Sequence, residues 1–214
     1  MTLYSPPPDR GLSVIFSDAS LIVVDKPSGL LSVPGRGADK ADCLVSRAQE
    51  IFPDALAVHR LDMDTSGLLL LARGEEMHRQ LSKQFRERHI DKGYIAVLAG
   101  LLADDAGQVD LPLICDWPNR PRQKVDFETG KPSLTHFHVL SRDPVCQTTR
   151  VELTPVTGRS HQLRVHMASL GHPIIGDELY GTETTGRLML HAMDLAFTHP
   201  VSGVPLQFHC PPPF

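Results

Sequence analysis

A short polar cluster set directly against an apolar run constrains this chain more than any other feature. His59-Arg60-Leu61-Asp62-Met63-Asp64-Thr65-Ser66-Gly67 leads straight into Leu68-Leu69-Leu70-Leu71-Ala72. Four consecutive leucines, bounded by Gly67 and by Arg73-Gly74, read as a fully buried strand. Two carboxylates, an arginine, a histidine and two hydroxyls precede it. Polar groups packed that densely beside a buried strand form either a solvated loop or a site.

The bulk properties narrow the setting. A chain of 214 residues is long enough to bury a substantial core, and 41% hydrophobic with 21% charged residues is the balance of a soluble globular protein. We expect one domain over residues 14–214, preceded by a flexible arm over residues 1–13, where Pro6-Pro7-Pro8 forbids a helix. The first residues carry no charged segment followed by an apolar one, and no apolar run is long enough to span a bilayer. Cys43, Cys115, Cys146 and Cys210 are scattered without a Cys-x-x-Cys pair, which argues against a zinc site or a disulfide framework and for a reducing cytosol. The expectation is a cytoplasmic protein with no membrane partner. A net charge of −4 does not by itself favour nucleic acid, but a local positive field would suffice.

In chain order, Val14-Ile15-Phe16 and Leu21-Ile22-Val23-Val24 suggest a hairpin, and Asp25-Lys26-Pro27-Ser28-Gly29 a turn. Asp42 is the expected N-cap of a helix reaching Phe52, with Leu44, Ala48 and Ile51 on its buried side. A second helix runs from Glu75 to about His89 on a stripe of Met77, Leu81 and Phe85. Its Arg79, Lys83 and Arg86 share another face, which is either solvated or tracks phosphates. Lys92 to Gly100 reads as a strand with Tyr94 near its start, and Asp104, Asp105 and Asp110 mark a loop. The segment Asp116–Lys124 combines Arg120, Arg122 and Lys124 with the only tryptophan, Trp117, and two prolines. It is expected to be irregular, as a plain surface loop or as one whose ring stacks on a base. Strands over His136–Leu140 and Thr149–Leu153 follow, then a helix striped by Leu163, Met167 and Leu170 with Gly171 beyond its end. A final strand pair begins near Arg187, with Phe197 and Phe208 turned inward.

No dinucleotide or phosphate-loop fingerprint is present, and His161 and His166, five apart, do not share a helical face as paired metal ligands would. No Gly-x-Ser-x-Gly elbow supports a serine triad. Chemistry then falls to Asp62 or Asp64 with an arginine. A guanidinium within a few ångströms holds a carboxylate ionised, lowering its pKa by about 1–3 units, and can also fork onto phosphate.

Five motifs stand in one order along the chain: Lys26-Pro27-x-Gly29, the cluster His59 to Gly67, Lys92-x-Tyr94, Thr157-Gly158-Arg159-x-His161-Gln162-Leu163-Arg164-Val165-His166 and Leu188-x-Leu190-His191-Ala192. Order and spacing resemble those of the RluA-type pseudouridine synthases. The resemblance implies an α+β fold: a single domain with a long mixed, mainly antiparallel sheet flanked by helices and loops, and an RNA-binding cleft across it. The chain has no room for the S4-type domain of many relatives. Leu31 to Arg36 and Leu113 to Pro121 are most similar to the compact, dual-specificity branch, which acts on 23S ribosomal RNA and on the anticodon stem-loop of tRNA, here expected as a monomer. Asp62 then takes the catalytic position and Asp64 a variable one. Tyr94 packs on the target ring, Arg164 holds Asp62 ionised, Leu190 walls the pocket, and Arg60 sits at the RNA. The basic residues Arg79, Lys83, Arg86, Arg120, Arg122 and Lys124 are the candidate backbone contacts. The implied reaction breaks the N1–C1′ bond of a uridine, turns the ring and rejoins it through C5, needing neither cofactor nor metal. A stacked base must be flipped out first, at about a few kcal/mol. Two other readings compete: an RNA chaperone of the same fold without turnover, and a glycoside hydrolase using Asp62 and Asp64. The second lacks an aromatic sugar platform, with one tryptophan and three tyrosines in the chain.

Overall fold

The computed structural model describes residues 4–181 and 186–214, which fall into two compact units. Of the described residues, one holds 4–92 and 192–213, the other 93–181, 186–191 and 214.

In the first unit, β1 (Val14–Ser17) and β2 (Leu21–Lys26) form the expected antiparallel hairpin. Asp18 closes it, its Oδ1 accepting from the Ser20 and Leu21 N–H groups at 2.7 and 2.9 Å. The short β3 (Ala55–Ala57) precedes the leucine run, which is β4 (Ser66–Arg73). β4 lies antiparallel to β2, with Leu70 opposite Val23, and β3 pairs with its far end. From Ala192 onward, β11 (Leu190–Thr198) flanks β4 and pairs antiparallel with β12 (Pro205–His209).

Leu68, Leu70 and Ala72 of β4 cluster with Leu21, Val23, Leu195 and Phe197, and with Leu81 of α2 (Gly74–Glu87). Leu69, Leu71, Ile22 and Val24, on the opposite side of the pleat, are equally buried. Because both faces are covered, the strand reads as an unbroken apolar run. Gly67 has φ 109°, and a Cβ added there would lie 2.3 Å from the Ala192 carbonyl oxygen. Only glycine allows β4 and β11 to meet so closely.

Two details of α1 (Leu44–Ile51) differ from expectation. Its N-cap is Cys43, whose Sγ accepts from the Ser46 N–H while Ser46 Oγ accepts from the Cys43 N–H. Asp42 is instead held in a bidentate pair with Arg47, both contacts at 2.8 Å. Leu44, Val45 and Ala48 form the buried side, and Ile51 in the last turn is 57% exposed. The α2 stripe is as expected, with Leu81 buried and Met77 and Phe85 packed beside it. Of the expected arm, residues 1–3 lie outside the described residues. The part from residue 4 lies against α1: Tyr4 Oη donates to the Asp42 carbonyl at 3.0 Å and Arg47 donates to the Pro7 carbonyl at 2.8 Å. Extended prolines expose bare carbonyl acceptors, and Arg47 uses one of them.

In the second unit, β5 (Asp91–Ala99, entering at Gly93), β10 (Thr148–Pro155), β9 (Leu134–Asp143) and β6 (Ala106–Asp110) are neighbours in that order, and the β5–β10, β10–β9 and β9–β6 pairings are antiparallel. β6 occupies what the sequence marks as an acidic loop, so Asp110 belongs to a strand. An exposed edge strand needs few apolar side chains, and only Val109 of β6 is buried. β7 (Leu113–Cys115) and β8 (Gln123–Val125) form a two-stranded ribbon, so the Arg/Trp/Pro segment is less irregular than expected. α3 (Gln162–Ser169) packs Leu163 and Met167 into a core with Leu98, Val151, Leu153 and Phe137. It is buried on more than one stripe, since every residue from Gln162 to Met167 is buried, while Leu170 is 37% exposed just past its end. The fold class is the expected α+β, with a mixed, mainly antiparallel sheet flanked by helices and loops. Among the described residues, no helix is long and apolar enough to cross a membrane.

Candidate active site

Asp62 stands in the loop between β3 and β4, and that loop is fastened through its backbone. Lys26 is fully buried, and its Nζ donates to the carbonyls of Pro27, Leu30 and Met63 at 2.9, 2.6 and 2.8 Å. A buried ammonium is tolerable only with such acceptors, and three carbonyls match its three N–H groups. The Gly29 N–H also donates to the Met63 carbonyl at 2.9 Å, and Ser28 Oγ donates to that of Asp64 at 2.7 Å. Ser32 Oγ completes the set, donating to the Leu61 carbonyl and accepting from the Leu61 N–H. The turn read from Lys26-Pro27-Ser28-Gly29 is thus a cradle for the aspartate loop. Leu61 is buried, Asp62 is half-buried and Arg60 is exposed beside them.

His59 has a structural task. Its Nε2 accepts from the Leu70 N–H at 2.9 Å, and its ring stacks on Phe85 with centroids 4.4 Å apart. Burial, reinforced by the positive charge of Lys92, pushes the imidazole down to about 3, so it is neutral and Nε2 keeps its lone pair. His59 therefore satisfies a backbone donor of β4 where β3 has already ended.

In the second unit, the remaining motif residues converge. Tyr94 lies opposite Leu153 in the β5–β10 ladder and packs on the cluster that contains Leu163, Met167 and Leu190. Leu190 is 3% exposed and Arg164 4%. Gln162 ties the segment before α3 together: its Oε1 accepts from Thr157 Oγ1 at 2.7 Å and from the Arg159 N–H at 3.0 Å, and its Nε2 donates to the Leu134 carbonyl. Arg164 Nε and Nη2 donate to Asp177 Oδ2 and Oδ1, both at 2.7 Å. Burial works against the Asp177 charge, but the Arg164 fork and the Leu179 and Tyr180 N–H groups outweigh it and hold the carboxyl below its usual range. Sequence reasoning missed Asp177. The available signal was an arginine directly beside the buried Leu163 of the helix stripe, which calls for a carboxylate partner, with a Gly176-Asp177 turn to supply one.

The basic residues are less uniform than their sequence spacing suggests. Arg79 pairs with Glu76 and Lys83 lies 3.9 Å from Glu87, all on the exposed surface of α2. Arg86 is exposed on the same helix. Between β7 and β8, Arg120 stacks over the exposed Trp117 ring at 4.4 Å and Arg122 lies 5.4 Å from the centre of the Tyr180 ring, while Lys124, within β8, pairs with Asp126 at 3.6 Å. His161 and His166 are both engaged inside the unit, His161 with Tyr180 Oη and His166 with Thr135 Oγ1 and the Leu111 carbonyl.

Residues 20–169 match the family model described as RNA pseudouridylate synthase. The chain is 53% identical over 201 residues to the dual-specificity RNA pseudouridine synthase RluA of Yersinia pestis, covering 92% of this chain and 97% of that one. It is 49% identical to the protein of the same name from Escherichia coli strain K12, over 100% of this chain and 99% of that one. Among solved structures, human RNA pseudouridylate synthase domain containing 1 superposes with a TM-score of 0.80 at 30% identity, covering 98% of this chain and 87% of that one.

Proposed function

The chain belongs to the RNA pseudouridylate synthase family and is an isomerase that converts uridine in RNA to pseudouridine; from that premise, we propose which of its residues carry the reaction and on which RNAs. Asp62 is the catalytic carboxylate. What carries this reading is the cradle, which fixes the backbone on both sides of Asp62 through Leu61, Met63 and Asp64. An enzyme gains most from a group that needs no reordering at the moment of reaction. Arg164 serves the reaction with its guanidinium held in place by the Asp177 fork, and Tyr94 stacks on the target ring above the apolar wall that includes Leu190. The N1–C1′ bond breaks, the freed uracil turns so that C5 faces C1′, the C5–C1′ bond forms, and the proton on C5 is lost as one is gained at N1. Substrate and product are isomers, and the proton that leaves C5 is matched by the one gained at N1, so the step balances within the uridine and exchangeable protons.

Arg60, exposed beside Asp62, holds the target uridine out of the stack. Backbone contacts come from Arg79, Lys83 and Arg86 on α2 and from Arg120, Arg122 and Lys124 between and within β7 and β8. Relatives named dual-specificity support two RNA classes as substrates, for which we take 23S ribosomal RNA and the tRNA anticodon stem-loop. We also take residues 14–214 as the catalytic domain, acting as a monomer in the cytoplasm. The test is incubation of the protein with each RNA and no additive, followed by nucleoside analysis. Pseudouridine in both supports the reading; pseudouridine in one removes the dual specificity. RNA that is bound but unchanged would favour a chaperone of the same fold.

A further inference from the structure

The second unit contains a connection between the Trp117–Lys124 segment and Arg164 that runs through one residue, Tyr180. Its phenol ring is met by two guanidiniums, Arg122 with its central carbon 5.4 Å from the ring centre and Arg164 at 5.3 Å. Its hydroxyl accepts from the Gln123 N–H at 2.7 Å and shares a 2.8 Å hydrogen bond with His161 Nδ1. Its own N–H donates to Asp177 Oδ1, the same oxygen that receives Arg164 Nη2. One tyrosine therefore touches the β7–β8 segment with both ring and hydroxyl, the N-terminus of α3 through His161, and the buried arginine–aspartate fork through ring and backbone.

The segment it grips is built to be held at that point. Asp116 N–H donates to the Arg122 carbonyl at 2.9 Å and Arg122 N–H donates to that of Asn119 at 3.1 Å, so the tip between β7 and β8 is a small piece closed by its own backbone. Trp117 is 66% exposed on it. A pull on that tip reaches Gln123 and Arg122, and both bear on Tyr180.

We propose that Tyr180 is a positioning residue that makes the setting of Arg164 depend on the docking of the Trp117–Lys124 segment, so that RNA held there is felt in turnover as well as in affinity. This rests on the reading above that the segment meets RNA and that Arg164 serves the reaction. Cation–ring contacts are soft and directional, so a displaced Arg122 shifts the ring against Arg164 without breaking the Asp177 fork.

The test is a double-mutant cycle with Arg122→Ala and Tyr180→Leu, reading kcat and KM separately on a stem-loop RNA, with thermal melting of each variant. Wild-type turnover comes first: its absence overturns the functional reading, whatever the cycle gives. With the wild type active, Arg122→Ala is expected to raise KM and also to lower kcat, by about tenfold. Tyr180→Leu removes the ring that both guanidiniums meet, and is expected to lower kcat while the Arg164–Asp177 fork remains. In the Tyr180→Leu background, Arg122→Ala should then cost at least about fivefold less in kcat than in the wild type. Additive losses in kcat, or an Arg122→Ala effect confined to KM, would overturn the coupling while leaving the function intact. Should Tyr180→Leu melt early, Arg122→Lys, which keeps a cation over the ring, replaces it: kcat is expected to recover most of what Arg122→Ala loses, and a loss equal to that of Arg122→Ala would overturn the coupling.

Discussion

A carboxylate and its amide differ by one charge and almost nothing in shape, which makes Asp62 and Asp64 separable by experiment. Asp62→Asn is expected to abolish isomerisation while RNA binding survives, since the cradle holds the backbone of the loop and the amide fits the same space. Asp64→Asn is expected to keep turnover within about tenfold, or about 1.4 kcal/mol on the barrier. Single-turnover assays beside filter binding check both; the reverse pattern would assign the chemistry to Asp64. Arg164 illustrates why charge alone is not identity. Its planar fork meets both oxygens of Asp177 at 2.7 Å, a geometry that lysine cannot reproduce. Arg164→Lys is therefore expected to lose most turnover even though the charge is retained, and near-normal kcat in that variant would remove Arg164 from the site. Arg60 poses a third question, because it is exposed next to a buried leucine. If it offsets part of a flipping cost of about a few kcal/mol, Arg60→Ala should be slow on a stacked loop uridine and recover on an RNA whose target is already bulged. Equal losses on the two RNAs would give Arg60 a part in the chemical step instead.

At the scale of elements, the coupling between β4 and the loop before it carries a pH signature. Folded His59 holds its proton only near pH 3 against an ordinary value of 6.5, so between these the unfolded chain binds a proton that the folded chain refuses. The stability from neutral His59 is complete above the ordinary value and is lost as pH falls toward the folded one, at up to about 1.4 kcal/mol per pH unit. His59→Gln, which can still offer an acceptor to the Leu70 N–H, should flatten this acid limb. Urea midpoints across the range would show it, and an unchanged slope would mean that other groups set the acid sensitivity. On α2, by contrast, electrostatics act outward. Arg79 and Lys83 have Glu76 and Glu87 beside them on the same exposed surface, pairs worth little to stability. They remain available to phosphate. Neutralising Arg79, Lys83 and Arg86 together should lower the magnitude of the log–log salt slope of RNA binding by about 0.7–0.9 for each phosphate that no longer meets a cation. An unchanged slope would leave α2 as a solvated face.

Over the whole molecule, what could be read in the sequence was whatever is periodic or contiguous. The leucine run of β4 and the Met77, Leu81, Phe85 stripe of α2 announce themselves because burial imposes a local rhythm, and the five motifs carry the fold class, the family and the position of Asp62. What stayed hidden depends on pairs distant in sequence or on small polar substitutions for them. Lys26 and Met63 are 37 residues apart, Asp177 is recognisable only as the answer to a buried Arg164, and Cys43 takes the cap that Asp42, engaged by Arg47, leaves vacant. An edge strand such as β6 lacks the apolar pattern because only one of its residues is buried. The cradle around Asp62 has a practical meaning beyond catalysis. Lys26, Ser28, Gly29 and Ser32 read carbonyl oxygens, which every amino acid carries, so the hold on the loop is indifferent to the side chain at Met63. That residue is 37% exposed one position from the proposed catalytic carboxylate. A fluorescent or spin-labelled side chain introduced there would ride on a fixed backbone and report, in real time, the arrival of a flipped base.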